Sequence, residues 1–281
     1  MHNTGIVVLA QNNSLDDYVL QACLLAMSVK LTNPNLPISV VTNDIVPEEY
    51  TQFFDKIIPI PFEDNAAESE WKIENRWKIY HASPYERTIV MDTDMLVLQD
   101  ISSWVEFLSH YKMYFVSNVY TYRGDKVKDD FYRKTFTANE LPNLYSGFYY
   151  FEKGEFAHEF FAWFELVTNN WELFYGKFVP EHYPTRCSVD VTTSIVAKIL
   201  DCDNEITNKI AKFPTFTHMK PQIQGWSTPQ NDWQDCVGVY VSDNCDIKIG
   251  NYQQTGILHY TENSFVEKQD VIDIYRRKLN V

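Results

Sequence analysis

Asp92 and Asp94 stand one residue apart, directly after the apolar run Thr88-Ile89-Val90-Met91. Two carboxylates at that spacing, just past a buried strand, can converge on a hard divalent cation. Such a cation acts as a Lewis acid on the oxygens of a departing phosphate or diphosphate. As a calcium loop of the EF-hand kind the segment fails, because the sixth position requires glycine and holds Val97. The plain alternative is a strand end carrying two solvated acids, and the motif by itself does not separate it from a metal site.

Other residues offer chemistry on either side. Arg76 and Lys78 lie two apart on a predicted helix and so face away from each other; the planar fork of Arg76 makes it the better phosphate partner. Ser146 and Gly147 follow a Pro142-Asn143 turn signal and open an apolar strand. A glycine there lets the backbone approach a ligand, or else serves a turn with positive φ. Asp190 stands at the start of a predicted helix, where capping competes with ligand contact. Glu181, His182 and Arg186 read as surface residues of a Pro-bounded loop. Thr217-His218-Met219-Lys220-Pro221 leads to Trp226 and Trp233, which suit either sugar platforms or core anchors.

These residues need elements to hold them. Residues 5–10 form an apolar strand. Ser14 is the predicted N-cap, with Asp17 at the third helical position, of a helix that carries Leu20, Leu24, Met27 and Leu31. Strands follow at 38–42, 57–60 and 88–91, with a short helix at 47–54 and a helix at 71–82. Such alternation means βαβ units and a largely parallel sheet, in which ligands lie beyond the carboxyl ends of the strands. Asp92 sits at such an end. The remainder is less regular, with strands at 112–118, 147–151, 237–241, 247–249 and 256–260, and helices at 155–171, 189–200 and 264–279.

Extended over its flanks, the acid pair reads Arg76-Trp77-Lys78-Ile79-Tyr80, then Tyr85, Ile89 to Asp94, Val97-Leu98 and Asp100-Ile101. This resembles the glycogenin-like family of retaining glycosyltransferases, where a basic residue on a helix precedes an apolar strand, an Asp-x-Asp and a Leu-Val-Leu run. Val7-Val8-Leu9-Ala10-Gln11-Asn12, followed by Asp17-Tyr18, resembles the family's first strand and nucleotide loop. Ser146-Gly147-Phe148 is similar to its Asn-Ser-Gly turn, Asp190 to its Asp-Gln pair, and Leu258-His259-Tyr260 to its late His-Phe.

The resemblance implies an α/β protein of the GT-A fold, a Rossmann-like domain with a mostly parallel central sheet and an irregular acceptor half. One domain is expected over 1–281, with a nucleotide-binding half at 1–102 and an acceptor half at 103–281. It implies metal ligation by Asp92, Asp94 and His259. It implies nucleotide-sugar contacts from Ala10, Gln11, Asn12, Tyr18 (stacked on the base), Arg76, Asp92, Thr93, Ser146 and Gly147, with Asp190 near the reacting carbon. The implied reaction is sugar transfer from a UDP-sugar with retention. Mixed carboxylate and imidazole ligands favour Mn²⁺, with Mg²⁺ as the alternative. Tyr145 and Val191 replace the family's asparagine and glutamine, and Thr261-Glu262-Asn263-Ser264 stands where the family has Gly-x-x-Lys-Pro-Trp. These departures bear on the sugar and the acceptor.

Bulk properties narrow the partners. The 281 residues are 45% hydrophobic and 15% aromatic, enough for a sizeable core, and no apolar run reaches membrane-spanning length. Five cysteines form no Cys-x-x-Cys pair, so a reducing, cytoplasmic setting is expected. A net charge of -14 disfavours nucleic acid. A glycan, a protein or a lipid-linked sugar therefore ranks above a modified DNA base as acceptor. Two rival functions remain. One is a metal-dependent phosphohydrolase of the haloacid-dehalogenase type, disfavoured by Leu96 where threonine or valine is usual. The other is a nucleotide-sugar-binding protein without turnover.

Overall fold

A computed structural model describes residues 3–67, 69–127, 133–208, 210, 212–226 and 232–281. Its centre is a six-stranded sheet built from β1 (Thr4–Leu9), β2 (Ile38–Val41), β3 (Lys56–Ile58), β4 (Arg87–Met91) and two later strands. After β5 (Met95–Val97), which leaves this sheet, come β6 (Met113–Val116) and β7 (Tyr145–Glu152). The order is β3-β2-β1-β4-β7-β6. The first four strands are mutually parallel, with Ile6 opposite both Ile38 and Ile89, whereas β7 runs antiparallel to both β4 and β6. Alternate residues of β1 serve different cores: Ile6 and Val8 face one, Val7 and Leu9 the other. Burial on both faces explains why the strand reads as a continuous apolar run.

The helix Tyr18–Thr32 is buried almost all round, from Val19 to Val29. Its start corrects one expectation. The N-cap is Asp17, whose carboxylate accepts from the Leu20 amide at 2.9 Å, not Ser14. The Asn13 side chain accepts from the amides of Leu15 and Asp16, closing a turn there, and Asn12 accepts from the Val19 amide. These bonds delay the helix by one turn. Two further helices differ from expectation. Lys72 adopts a left-handed φ of 52°, so residues Ile73–Lys78 form a 3₁₀ helix that becomes α-helical only at Ile79–Ala82. The C-terminal helix splits into Ser264–Lys268 and Val271–Leu279 around Asp270, which has φ 47°.

A second, three-stranded sheet positions the late histidine. The strand β8 (Thr217–His218) precedes β9 (Val239–Val241), β10 (Ile247–Ile249), β11 (Tyr252–Gln253) and β12 (Ile257–His259). β12 lies between β5, to which it is antiparallel, and β8, to which it is parallel. His259 is thereby brought opposite both Met95 and His218. Among the described residues, no helix is long and apolar enough to cross a membrane.

Candidate active site

The floor of the site forms where β4 ends and β5 begins. The Asp92 amide donates to the Gly147 carbonyl at 2.9 Å, and the Tyr260 amide donates to the Asp94 carbonyl at 3.0 Å. Backbone bonds on both flanks therefore fix the two acids against β7 and β12. Ligand atoms of Asp92, Asp94 and His259 all lie within 4.8 Å of one another. His259 Nε2 is 3.0 Å from Asp94 Oδ2, and Arg76 donates to Asp92 Oδ1 at 2.8 Å.

Electrostatics at the floor follow from these distances. Burial lifts the Asp92 carboxyl above its usual range, opposed by Arg76 and reinforced by Asp94. Burial acts the same way on Asp94, but the charge and hydrogen bond of His259 prevail and hold it low. Burial alone would depress His259; the attraction of Asp94 and Asp92 outweighs it and raises the imidazole above its ordinary value. A proton thus sits where a cation would compete for the same donors. Two carboxylates and one imidazole at this separation suit a divalent cation. The neighbouring backbone fits too. A Cβ on Gly147 would meet Asp92 Oδ2 at 2.9 Å, Met95 Cε at 3.0 Å and His259 Cε1 at 3.5 Å. Gly147 has no positive φ, so close approach and not a turn accounts for the glycine.

A cavity of about 600 Å³ opens above this floor, within the range of small-molecule sites. Gln11, Tyr18, Arg76, Thr93, Gly147 and Asp190 line it together with the three floor residues. Gln11 is held by Asp64 at 2.6 Å and by Asn75 at 2.9 Å. The Thr93 hydroxyl donates to Gln21 at 2.9 Å. Burial, with Asp16 and Asp94 nearby, pushes the Tyr18 hydroxyl pKa upward, so the ring stays neutral. Three expected residues lie behind the lining. Ala10 is wholly buried with its amide bound to the Val41 carbonyl, Asn12 is engaged by the Val19 amide, and Ser146 is buried against Thr193.

Asp190 lies in the first turn of the helix Val189–Ile199, whose N-cap position is Ser188. Its carboxylate takes the Ser146 amide at 2.8 Å and Arg133 at 2.6 Å, so it does not cap that helix. Arg186 does reach the cavity, stacked 3.6 Å over the Trp71 ring at its rim, while Glu181 and His182 do not line it. Trp233 proves to be a core anchor: it is fully buried and donates to the Tyr260 carbonyl at 2.7 Å. Trp226 packs against Tyr122 away from the lining.

Several lining residues stand in segments that the sequence singled out without giving them a role. His218 stacks on His259, with ring centroids 4.6 Å apart and planes 20° apart. Asn263 joins Gln21 to Asp16 through its amide, latching the segment after β12 to the start of the first helix. Glu262, pushed up to about 7 by burial with Asp232 and Asp94 nearby, occupies the stretch that departs from the glycogenin-like pattern.

No family profile matches the chain, and no curated protein matches it in sequence. Solved structures do match. The galactosyltransferase LgtC, in complex with donor and acceptor sugar analogues, aligns with a TM-score of 0.55 at 12% identity over 96% of this chain and 95% of that one. Mouse xyloside xylosyltransferase 1 aligns with a TM-score of 0.53 at 10% identity over 92% of this chain and 98% of the other. The fold is GT-A. At this identity the likeness concerns architecture, and the GT-A frame puts the Asp92 strand end at the mouth of the sheet where parallel α/β proteins take ligands.

Proposed function

We propose that this GT-A chain is a metal-dependent glycosyltransferase that takes a sugar from a UDP-sugar, with Mn²⁺ as its cation and with retention of anomeric configuration. The observation that carries the reading is the convergence of Asp92, Asp94 and His259 on the floor of the cavity. The donor and acceptor sugar analogues held by LgtC, which shares the fold, support a site that serves two sugars.

Asp92, Asp94 and His259 hold the cation. When bound, the cation supplies positive charge to the diphosphate oxygens as the sugar departs. Arg76, already turned to the floor by Asp92, adds a fixed guanidinium for the same phosphates. Tyr18 offers its ring face to the base, and Gln11 an amide fixed by Asp64 and Asn75. Asp190 accepts hydrogen bonds from hydroxyls of the transferred sugar or of the acceptor. Residues 1–102 and 103–281 act as nucleotide and acceptor halves of one domain, and the acceptor is a glycan, a protein or a lipid-linked sugar. The cysteines are all free thiols, which supports a reducing, cytoplasmic setting.

A panel of nucleotide-sugars incubated with Mn²⁺ tests this directly. Hydrolysis of a UDP-sugar in preference to GDP- and ADP-sugars is expected, and EDTA should stop it. Mn²⁺-dependent UDP binding without consumption of any donor would leave a binding protein and overturn the enzymatic reading.

A further inference from the structure

Arg133 is the most enclosed arginine around the site, and the proposed chemistry does not use it directly. Its side chain is 4% exposed, against 28% for its partner Asp190. Each arm of the guanidinium is committed: Nη1 to Asp190 at 2.6 Å, Nε to Asn143 at 2.7 Å, and Nη2 to the Leu144 carbonyl. Its faces are covered by Phe136 at 3.7 Å and Tyr145 at 4.1 Å. Tyr145 is one of the departures from the glycogenin-like pattern, and here its ring has a defined task as a face of this cation's enclosure.

We propose that Arg133 is a positioning residue for sugar transfer, fixing the plane of Asp190 and compensating its charge so that Asp190 grips substrate hydroxyls. This inference rests on the glycosyltransferase reading of the cavity. A carboxylate offers about four acceptor positions. Arg133 and the Ser146 amide take one on each oxygen of Asp190, leaving the rest on the side that lines the cavity. A carboxylate pinned by a short charge-assisted bond is a directional acceptor of hydroxyl hydrogens and a poor attacking group. Lysine cannot replace the fork, because a single ammonium does not reach Asp190, Asn143 and Leu144 together.

The test is a double-mutant cycle on the full chain with Arg133→Met and Asp190→Asn, read by donor turnover, Mn²⁺-dependent UDP binding and thermal melting. Arg133→Met should lower kcat/KM by about a hundredfold, the scale of a misplaced contact, while the affinity for UDP changes less than twofold. The double variant should be no worse than the poorer single one, and Arg133→Lys should recover little. Multiplicative losses in the double variant, or recovery by Arg133→Lys, would overturn the proposal. If Arg133→Met fails to fold, Tyr145→Leu takes its place, since it uncovers one face of the guanidinium and keeps the Asp190 bond. A loss of kcat/KM with unchanged UDP affinity is then expected, and unchanged turnover overturns the proposal. Absence of turnover in the unmutated protein would count against the glycosyltransferase reading; non-additive melting shifts would still report the pair.

Discussion

The floor and the wall of the cavity both present carboxylates, yet they treat charge in opposite ways. On the floor, Asp92 and Asp94 share one arginine and one histidine, and their donor atoms face one another across less than 5 Å. On the wall, Asp190 has its own buried guanidinium and a backbone amide. Arg76 is permanently charged but His259 is charged only when protonated, so the floor keeps an unmet negative charge whenever that proton leaves, which is costly unless something arrives from outside to meet it. Under the proposed function, the floor receives a cation and the wall offers neutral hydroxyls a fixed acceptor. The number of carboxylates set against each permanently charged partner is a sharper guide to role than acidity alone.

The comparison breaks most visibly at the floor. Asp94→Asn or Asp92→Asn should lower turnover by roughly a thousandfold or more, as expected when several kcal/mol of Lewis-acid stabilisation is lost. Circular dichroism should show the fold unchanged, since strand-end acids contribute little packing. Near wild-type activity of either variant in chelated buffer would refute the metal assignment. Gly147→Val comes next. Its Cβ would press on Asp92 Oδ2 and Met95, so metal-dependent UDP binding and transfer should fall together by about ten- to a hundredfold. Loss of transfer with unaltered Mn²⁺-dependent UDP binding would instead put the glycine against the sugar.

Arg76→Ala should cost about 1.5–3 kcal/mol of donor recognition, the worth of a charge-assisted bond. Lys78→Ala should leave donor kinetics alone and lower the melting temperature, because Lys78 is buried and donates to the Glu63 carbonyl. Equal effects on donor kinetics would erase the distinction between the two. The smallest effect concerns protons. His259 is raised in the folded protein from 6.5. Its contribution to metal-free stability is therefore complete below the unfolded value and is lost as pH rises through the folded one. Melting of the metal-free protein should decline slightly as pH rises from 6.5 through the raised folded value, while Mn²⁺ affinity rises over the same interval. A pH-independent Mn²⁺ affinity there would remove His259 from the ligand set.

The legible parts of this molecule were local. Asp92 and Asp94 declare themselves within a few residues, and the parallel strands announce themselves as apolar runs because both faces are buried. The late histidine was reached only through family resemblance, since nothing near His259 marks it as a ligand. Two features that needed an unusual backbone were missed, the 3₁₀ turn set by Lys72 and the helix break at Asp270, and so was the separate helix Trp171–Phe178. So were pairings across long stretches of chain, such as Arg133 with Asp190, 57 residues apart, and Gln21 with Asn263, 242 apart. Periodicity reports which face of an element is apolar; it carries no information about which distant polar group will meet it.

The seat of His259 on β12, outside the main sheet, has a consequence for biosynthesis. The acids on the floor leave the ribosome early, but the backbone bonds that fix them wait for β7 and for Tyr260 after β12. Their imidazole is supplied by a strand that needs both β5 and β8 as neighbours. A nascent chain can thus hold a nearly complete central sheet and still lack the imidazole of the three-residue cluster. If the proposed ligand set holds, Mn²⁺ added during synthesis should find no complete site until translation has passed β12, and acquisition of the metal would be a late event in maturation.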